Sequence, residues 1–175
     1  MKRIFSTVLV LGLAGIGTGQ FARAETATEN SPVTAQLQQT VLEAQFGEDT
    51  DQAPVQLSLA DLQNLPRSGF RTTTIWTEGE QHFEGVWLKD LIDHLGFEDG
   101  IVELSALNEY MIEIDTAEIA DSEALVAYMR NGELMSVRDK GPLWLVFPYD
   151  SDPKFRTETT YAHSIWQLDR IVHLK

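Results

Sequence analysis

The chain has 175 residues, 13 lysines and arginines against 27 aspartates and glutamates, and a formal net charge of −14. So acidic a chain is unsuited to DNA, RNA or an anionic lipid surface and favours a neutral or cationic ligand, or a protein with a basic patch. It has no cysteine, which excludes disulfides, thiolate nucleophiles, iron–sulfur clusters and cysteine-held metals; 43% hydrophobic residues suffice for a core without them.

The opening MKRIFSTVLVLGLAGIGTGQFARAETATEN places Lys2 and Arg3 before an apolar run and ends it with Ala22-Arg23-Ala24, the pattern of a signal peptidase site. The run falls short of the roughly 20 apolar residues of a membrane span. Residues 1–24 are therefore expected to be a cleaved signal peptide, and the mature protein to be periplasmic and not membrane-inserted. Cleavage takes three of the 13 basic residues and none of the 27 acidic ones, leaving ten against 27, a net charge of −17. Much of that charge serves solubility.

Residues 25–56 form an N-terminal segment: a polar stretch, a first apolar element over 33–46 that reads equally as helix or strand, and the acidic loop GEDTDQAP. SLADLQNLP predicts a short helix, with Ser58 as N-cap, Asp61 three residues on and Pro66 after its end. GFRTTTIW has the β-branched content of a strand over 69–76; TEGE is a turn, and QHFEGV the returning arm of a hairpin. WLKDLIDHLG predicts a helix, with Leu88, Leu91, Ile92 and Leu95 on one face and Gly96 as its stop. IVELSA and YMIEID follow as strands, the second alternating as a sheet with one wet face does. ALVAYMRNGELMSV is a hairpin with Asn131-Gly132 at its tip. PLWLVFP reads as a central, buried strand, and YAHSIWQLDRIVHL as a closing, aromatic one. The class is α+β, mainly β, in a single domain.

Little in the sequence points to catalysis. His82, His94, His163 and His173 are scattered without metal-ligand spacing, and there is no nucleophile elbow or P-loop. Asp150-Ser151-Asp152 resembles the start of a calcium loop but lacks the glycine and distal glutamate. What remains is aromatic: Trp76, Tyr110, Trp144, Tyr149, Tyr161 and Trp166 at strand ends or in strands, with small basic groups at Arg138, Lys140, Lys154 and Arg156. Aromatic faces with a few polar groups suit a flat heterocycle. Trp144 and Trp87 are expected in the core. Trp76, among Thr74, Thr77 and Glu78, is expected to serve a ligand instead.

FEGVWLKDLIDHLG, GPLWLVFP and SIWQLDRIVHL resemble, in this order, three segments of the sulfite-oxidase fold, the molybdopterin-binding oxidoreductase domain; the likeness runs over residues 57–175. TTTIWTEGE, ALNEYMIEI, MSVRDKGPLWLVFP and SIWQL resemble a small exported subgroup of that fold, some members of which are periplasmic pterin-binding regulators of membrane-bound cyclic-di-GMP enzymes. Where the catalytic members carry a molybdenum-ligating cysteine, this chain has Thr74-Ile75-Trp76.

The resemblance implies a pterin as ligand, and as partner the periplasmic domain of an inner-membrane signalling protein; the missing cysteine and the acidic mature chain favour a pterin free of metal and phosphate. By it, Trp76 stacks the ring, and Asn108, Tyr110, Tyr161, Ser164 and Trp166 line the cleft. Asp150 and Arg156 meet polar ring edges from a loop, 149–160, that is expected to respond to binding. Two alternatives stand beside it. One is a molybdopterin-dependent oxidoreductase, or a subunit of one, holding its cofactor without cysteine. The other is an interaction domain whose cleft is filled by side chains.

Overall fold

The computed structural model describes residues 36–47 and 52–175. The expected signal peptide, the polar stretch after it and most of the acidic loop lie outside the described residues.

Two five-stranded sheets make up the architecture, α+β and mainly β. The first sheet contains β1 (Thr40–Phe46), β2 (Val55–Ser58), β5 (Ile101–Ala106), β6 (Met111–Asp115) and β10 (Leu168–Leu174), in the order β2-β1-β10-β5-β6. Its β1–β10 pair is parallel and the rest antiparallel. The second contains β3 (Ser68–Thr73), β4 (Glu80–Trp87), β7 (Leu125–Arg130) and β8 (Glu133–Leu134) in that order, with β9 (Trp144–Val146) also paired to β7. The ambiguous first apolar element thus ends as a strand flanked by β2 and β10, so the chain before residue 57 is part of the same sheet as the C-terminus.

Local chemistry sets most of these elements. Helix α1 (Leu59–Gln63) starts with a capping box: Asp61 N–H donates to Ser58 Oγ at 3.2 Å, and the Asp61 carboxylate accepts from Ser58 N–H at 2.8 Å. Helix α2 (Leu88–Leu95) buries Leu88, Leu91 and Ile92 and ends at Gly96 with φ 74°, a left-handed stop. At the β7–β8 tip, Asn131 and Gly132 have φ 54° and 84°, as a two-residue hairpin turn requires. β6 alternates exposed and buried residues along its length.

The second sheet is covered on both faces, which explains its continuous apolar runs. Val126 and Tyr128 of β7 and Leu145 of β9 join the large core shared with the first sheet. Leu125 and Ala127, with Trp144 and Val146, join a smaller cluster with Phe83 and Met135 on the other face. Successive strand residues point to opposite faces, so both faces call for apolar side chains. Gly85 sits at the register shift where β4 pairs with β7; a Cβ there would meet Val126 O at 2.0 Å.

Three expectations differ from the structure. β3 stops at Thr73, so Trp76 lies in the connection to β4 rather than on a strand. PLWLVFP is buried from Leu143 on but holds only three strand residues; besides β7, its other strand pairing is an isolated bridge from Trp144 to Trp166. The stretch read as one closing strand opens with helix α4 (Glu158–His163), because Thr157 Oγ1 accepts from Thr160 N–H and caps it. A further short helix, α3 (Thr116–Ile119), is capped by Asp115 accepting from Ala117 N–H.

Candidate functional site

The site grows from the end of β3. Asp150 accepts from Thr73 N–H at 2.5 Å and from Thr73 Oγ1 at 2.9 Å, while its own N–H donates to Thr72 Oγ1 at 3.1 Å. This clasp fixes where the chain leaves the sheet. Trp76 N–H then donates to Thr74 Oγ1, which is bonded to Thr77 Oγ1 at 2.8 Å. The threonines therefore use their hydroxyls to shape a turn, and that turn swings the indole inward.

Trp76 is half-buried and packs against both apolar clusters. Four rings surround it: Trp166 at 5.8 Å, Trp144 and Tyr161 at 5.9 Å and Tyr149 at 6.2 Å, with interplanar angles of 66–87°. All four are edge-to-face contacts, so none of these rings stacks parallel on the indole.

A cavity of about 390 Å³ opens beside it. Of the residues expected at a ligand site, Trp76, Asn108, Tyr110, Tyr161, Ser164 and Trp166 line it, together with Ala106, Ala162 and Ile165. They come from three separate places: the β3–β4 connection, the β5–β6 turn, and the stretch from α4 to β10. Across the cavity, the Tyr110 hydroxyl donates to the Ala162 carbonyl at 3.0 Å, and Asn108 Oδ1 accepts from Tyr110 N–H at 3.1 Å.

Ser164 is largely committed to the fold. Its hydroxyl donates to Thr160 O at 2.7 Å and lies 2.6 Å from the Tyr149 hydroxyl, and its carbonyl accepts from Trp144 Nε1. One acceptor lone pair of its oxygen is left for a ligand. Burial pushes the Tyr149 phenol well above its ordinary range, so it stays protonated.

Asp150 and Arg156 do not line the cavity. Asp150 spends its carboxylate on Thr73, and that backbone N–H, more than any other cause, holds its pKa below the ordinary value. Its part in the site is to position Trp76 through β3. Arg156 is exposed at the end of the 153–155 turn, where its charge also favours the ionised Asp150. Of the basic residues, Lys140 comes nearest the aromatic group: its Nζ sits 3.9 Å from the Trp166 ring centroid and 5.5 Å from that of Trp144. Burial lowers its pKa, with Arg130 acting the same way. Sequence reading missed Ala106, Ala162 and Ile165, small or apolar residues whose type carries no sign of a cavity.

The lining offers indole, phenol, amide and hydroxyl groups, and no thiolate or imidazole. Among the described residues no three His, Asp or Glu side chains are grouped to hold a metal, and the chain has no cysteine. This donor set does not fit a molybdenum cofactor. It does fit an uncharged, planar ring with donors and acceptors on its edges.

Neither protein-family models nor curated proteins give a match to this chain. Among the described residues, no helix is long and apolar enough to cross a membrane.

Proposed function

We propose that the cavity beside Trp76 binds a pterin, free of metal and phosphate. The protein then acts as an exported, non-catalytic binding protein that conveys ligand occupancy to the periplasmic domain of a membrane-bound signalling protein. The observation that carries this reading is the convergence of Trp76, Asn108, Tyr110, Tyr161 and Trp166 on one cavity of about 390 Å³. That size suits a small ligand, whose sites run from about 300 to 1,000 Å³. A pterin is flat, with an amino group, a ring N–H and a carbonyl on its edge. Aromatic walls match its faces, while the Asn108 amide and the Tyr110 oxygen offer partners to its edge. Among the described residues no lysine or arginine lines the cavity, and Lys140 is held over Trp166, which argues for a ligand without phosphate.

The places the walls come from support a signalling role. A ligand between the β5–β6 turn and α4 contacts both anchors of the Tyr110–Ala162 hydrogen bond, and Tyr110 is 46% exposed. Occupancy therefore changes a surface that a partner can read, provided the ligand prefers one arrangement over the other. The cyclic-di-GMP pathway as the destination rests on the resemblance alone.

The test is to purify the protein from its native periplasm, extract it, identify the released heterocycle by mass spectrometry and measure molybdenum. A pterin near one per chain with molybdenum far below it supports the proposal. Stoichiometric molybdenum overturns it in favour of a molybdopterin-dependent oxidoreductase.

A further inference from the structure

Ala106 and Asn108 line the aromatic cavity, but Leu107 between them lines a second concavity of about 300 Å³. Gln39, Thr40, Val41 and Leu42 around the start of β1, with Val137, Pro142 and Asp169 of β10, complete its walls. It continues into a hollow of about 160 Å³ that shares Thr40, Val41, Val137 and Pro142, so the two make one elongated groove. Leu107 and Val137 are each 51% exposed, which is high for apolar side chains that share one groove.

Among the described residues, Asp169 is the only charged one that lines the groove. Its Oδ1 is shut off from solvent and has no hydrogen-bond partner among the described residues. Burial, with a smaller contribution from Glu43, pushes its pKa up; Arg170, without coming into ion-pair contact, and the residue's own backbone N–H pull the other way. A carboxylate left this way in apolar surroundings is stabilised by any donor that reaches it, and most by a cation.

This chain's own neighbouring segments do not supply one. Residues 24–35, AETATENSPVTA, hold two glutamates and no cation, and residues 48–51, EDTD, are acidic. A cation on another molecule would supply the charge. An elongated groove with exposed apolar walls fits an alkyl-backed cation carried on an apolar peptide better than a free ion.

We propose that this groove is a docking site for a peptide segment of a partner protein, with an arginine or lysine set on Asp169 and apolar neighbours on Leu107 and Val137. The site stands whether or not the aromatic cavity takes a pterin. Ligand in that cavity perturbs the surroundings of Trp76 and Tyr161, whereas docking perturbs Thr40, Val41, Val137 and Asp169, so the two readings fail separately.

The experiment is an NMR titration of the ¹⁵N-labelled protein with acetyl-Leu-Arg-Leu-amide, its citrulline counterpart and butylguanidinium. The tripeptide is expected to shift the amides of Thr40, Val41, Leu107, Val137 and Asp169. The citrulline peptide and the Asp169→Asn variant are expected to weaken binding by about tenfold or more, as loss of a charge-assisted hydrogen bond does. Val137→Lys, at an exposed position, places a cation in the groove and is expected to block the tripeptide. Butylguanidinium is expected to bind more weakly than the tripeptide. An unmoved groove, or equal binding by the citrulline peptide or by Asp169→Asn, overturns the proposal. So do undiminished binding by Val137→Lys and butylguanidinium binding as tight as the tripeptide's, the latter marking a free-cation site.

Discussion

The Tyr110 hydroxyl reaches across the mouth of the aromatic cavity to the carbonyl of Ala162, 3.0 Å away, and ties the β5–β6 turn to α4. Fifty-two residues separate the pair, and Tyr110 is 46% exposed. Bonds between exposed groups are worth little net free energy, about 0.5–1.5 kcal/mol. Such a bond can therefore open when a ligand enters or leaves. Tyr110→Phe removes it while keeping the ring. The expected result is a melting temperature nearly unchanged, with ligand dissociation faster by about fivefold, from a loss of about 1 kcal/mol; stopped-flow fluorescence measures it.

Trp76→Ala removes the ring at the centre of four aromatic contacts. Pterin binding is expected to weaken by about 1–3 kcal/mol, the range for stacking of a base on an aromatic side chain. Trp76→Phe keeps a stacking face and is expected to recover most of the loss. Equilibrium titration of both variants provides the check.

Asp150→Ala removes the two carboxylate bonds to Thr73 and leaves the backbone N–H of residue 150 on Thr72 Oγ1. A cost of about 1 kcal/mol is expected, lowering the melting temperature by about 3 °C. Because the folded state holds the Asp150 pKa below its ordinary 3.8, its contribution is present above that value and is lost as the pH falls through the folded pKa. The gap between the native protein and the variant should close in acid. Ligand affinity should also fall, since the clasp sets the exit of β3 towards Trp76.

Asp169→Asn should do the opposite. Burial raises the folded pKa of this carboxylate above 3.8, so its charge weighs against the native state at neutral pH and ceases to do so as the pH falls below that value. The variant is expected to be more stable at pH 7, by on the order of 1 kcal/mol for a poorly satisfied group. The advantage should shrink towards pH 4. Thermal melts across pH settle the sign. A variant that is more stable yet no longer docks a basic peptide would separate function from folding.

Much of the fold is legible in the sequence because it depends on neighbours in the chain. Ser58 and Asp61 announce α1, Asn131-Gly132 announces a hairpin, and the alternation from Met111 to Asp115 announces a half-buried strand. Helix α4 is not legible: threonines and aromatics in TETTYAHSIW favour strands by type, and only the Thr157 cap decides otherwise. The aromatic residues of the site stand out because large rings sit beside polar neighbours. Asp150 does not reveal its role, since its partner Thr73 lies 77 residues away and no local pattern marks it. Asp169 looks like an ordinary polar residue at the start of a strand; only its surroundings in the fold single it out.

Calorimetric titration of the purified protein with an oxidised and a reduced pterin asks whether the cavity beside Trp76 takes a pterin. Saturable binding of at least one of the two, micromolar or tighter and at one per chain, is the predicted result. A folded protein that takes up neither at micromolar concentration would contradict it.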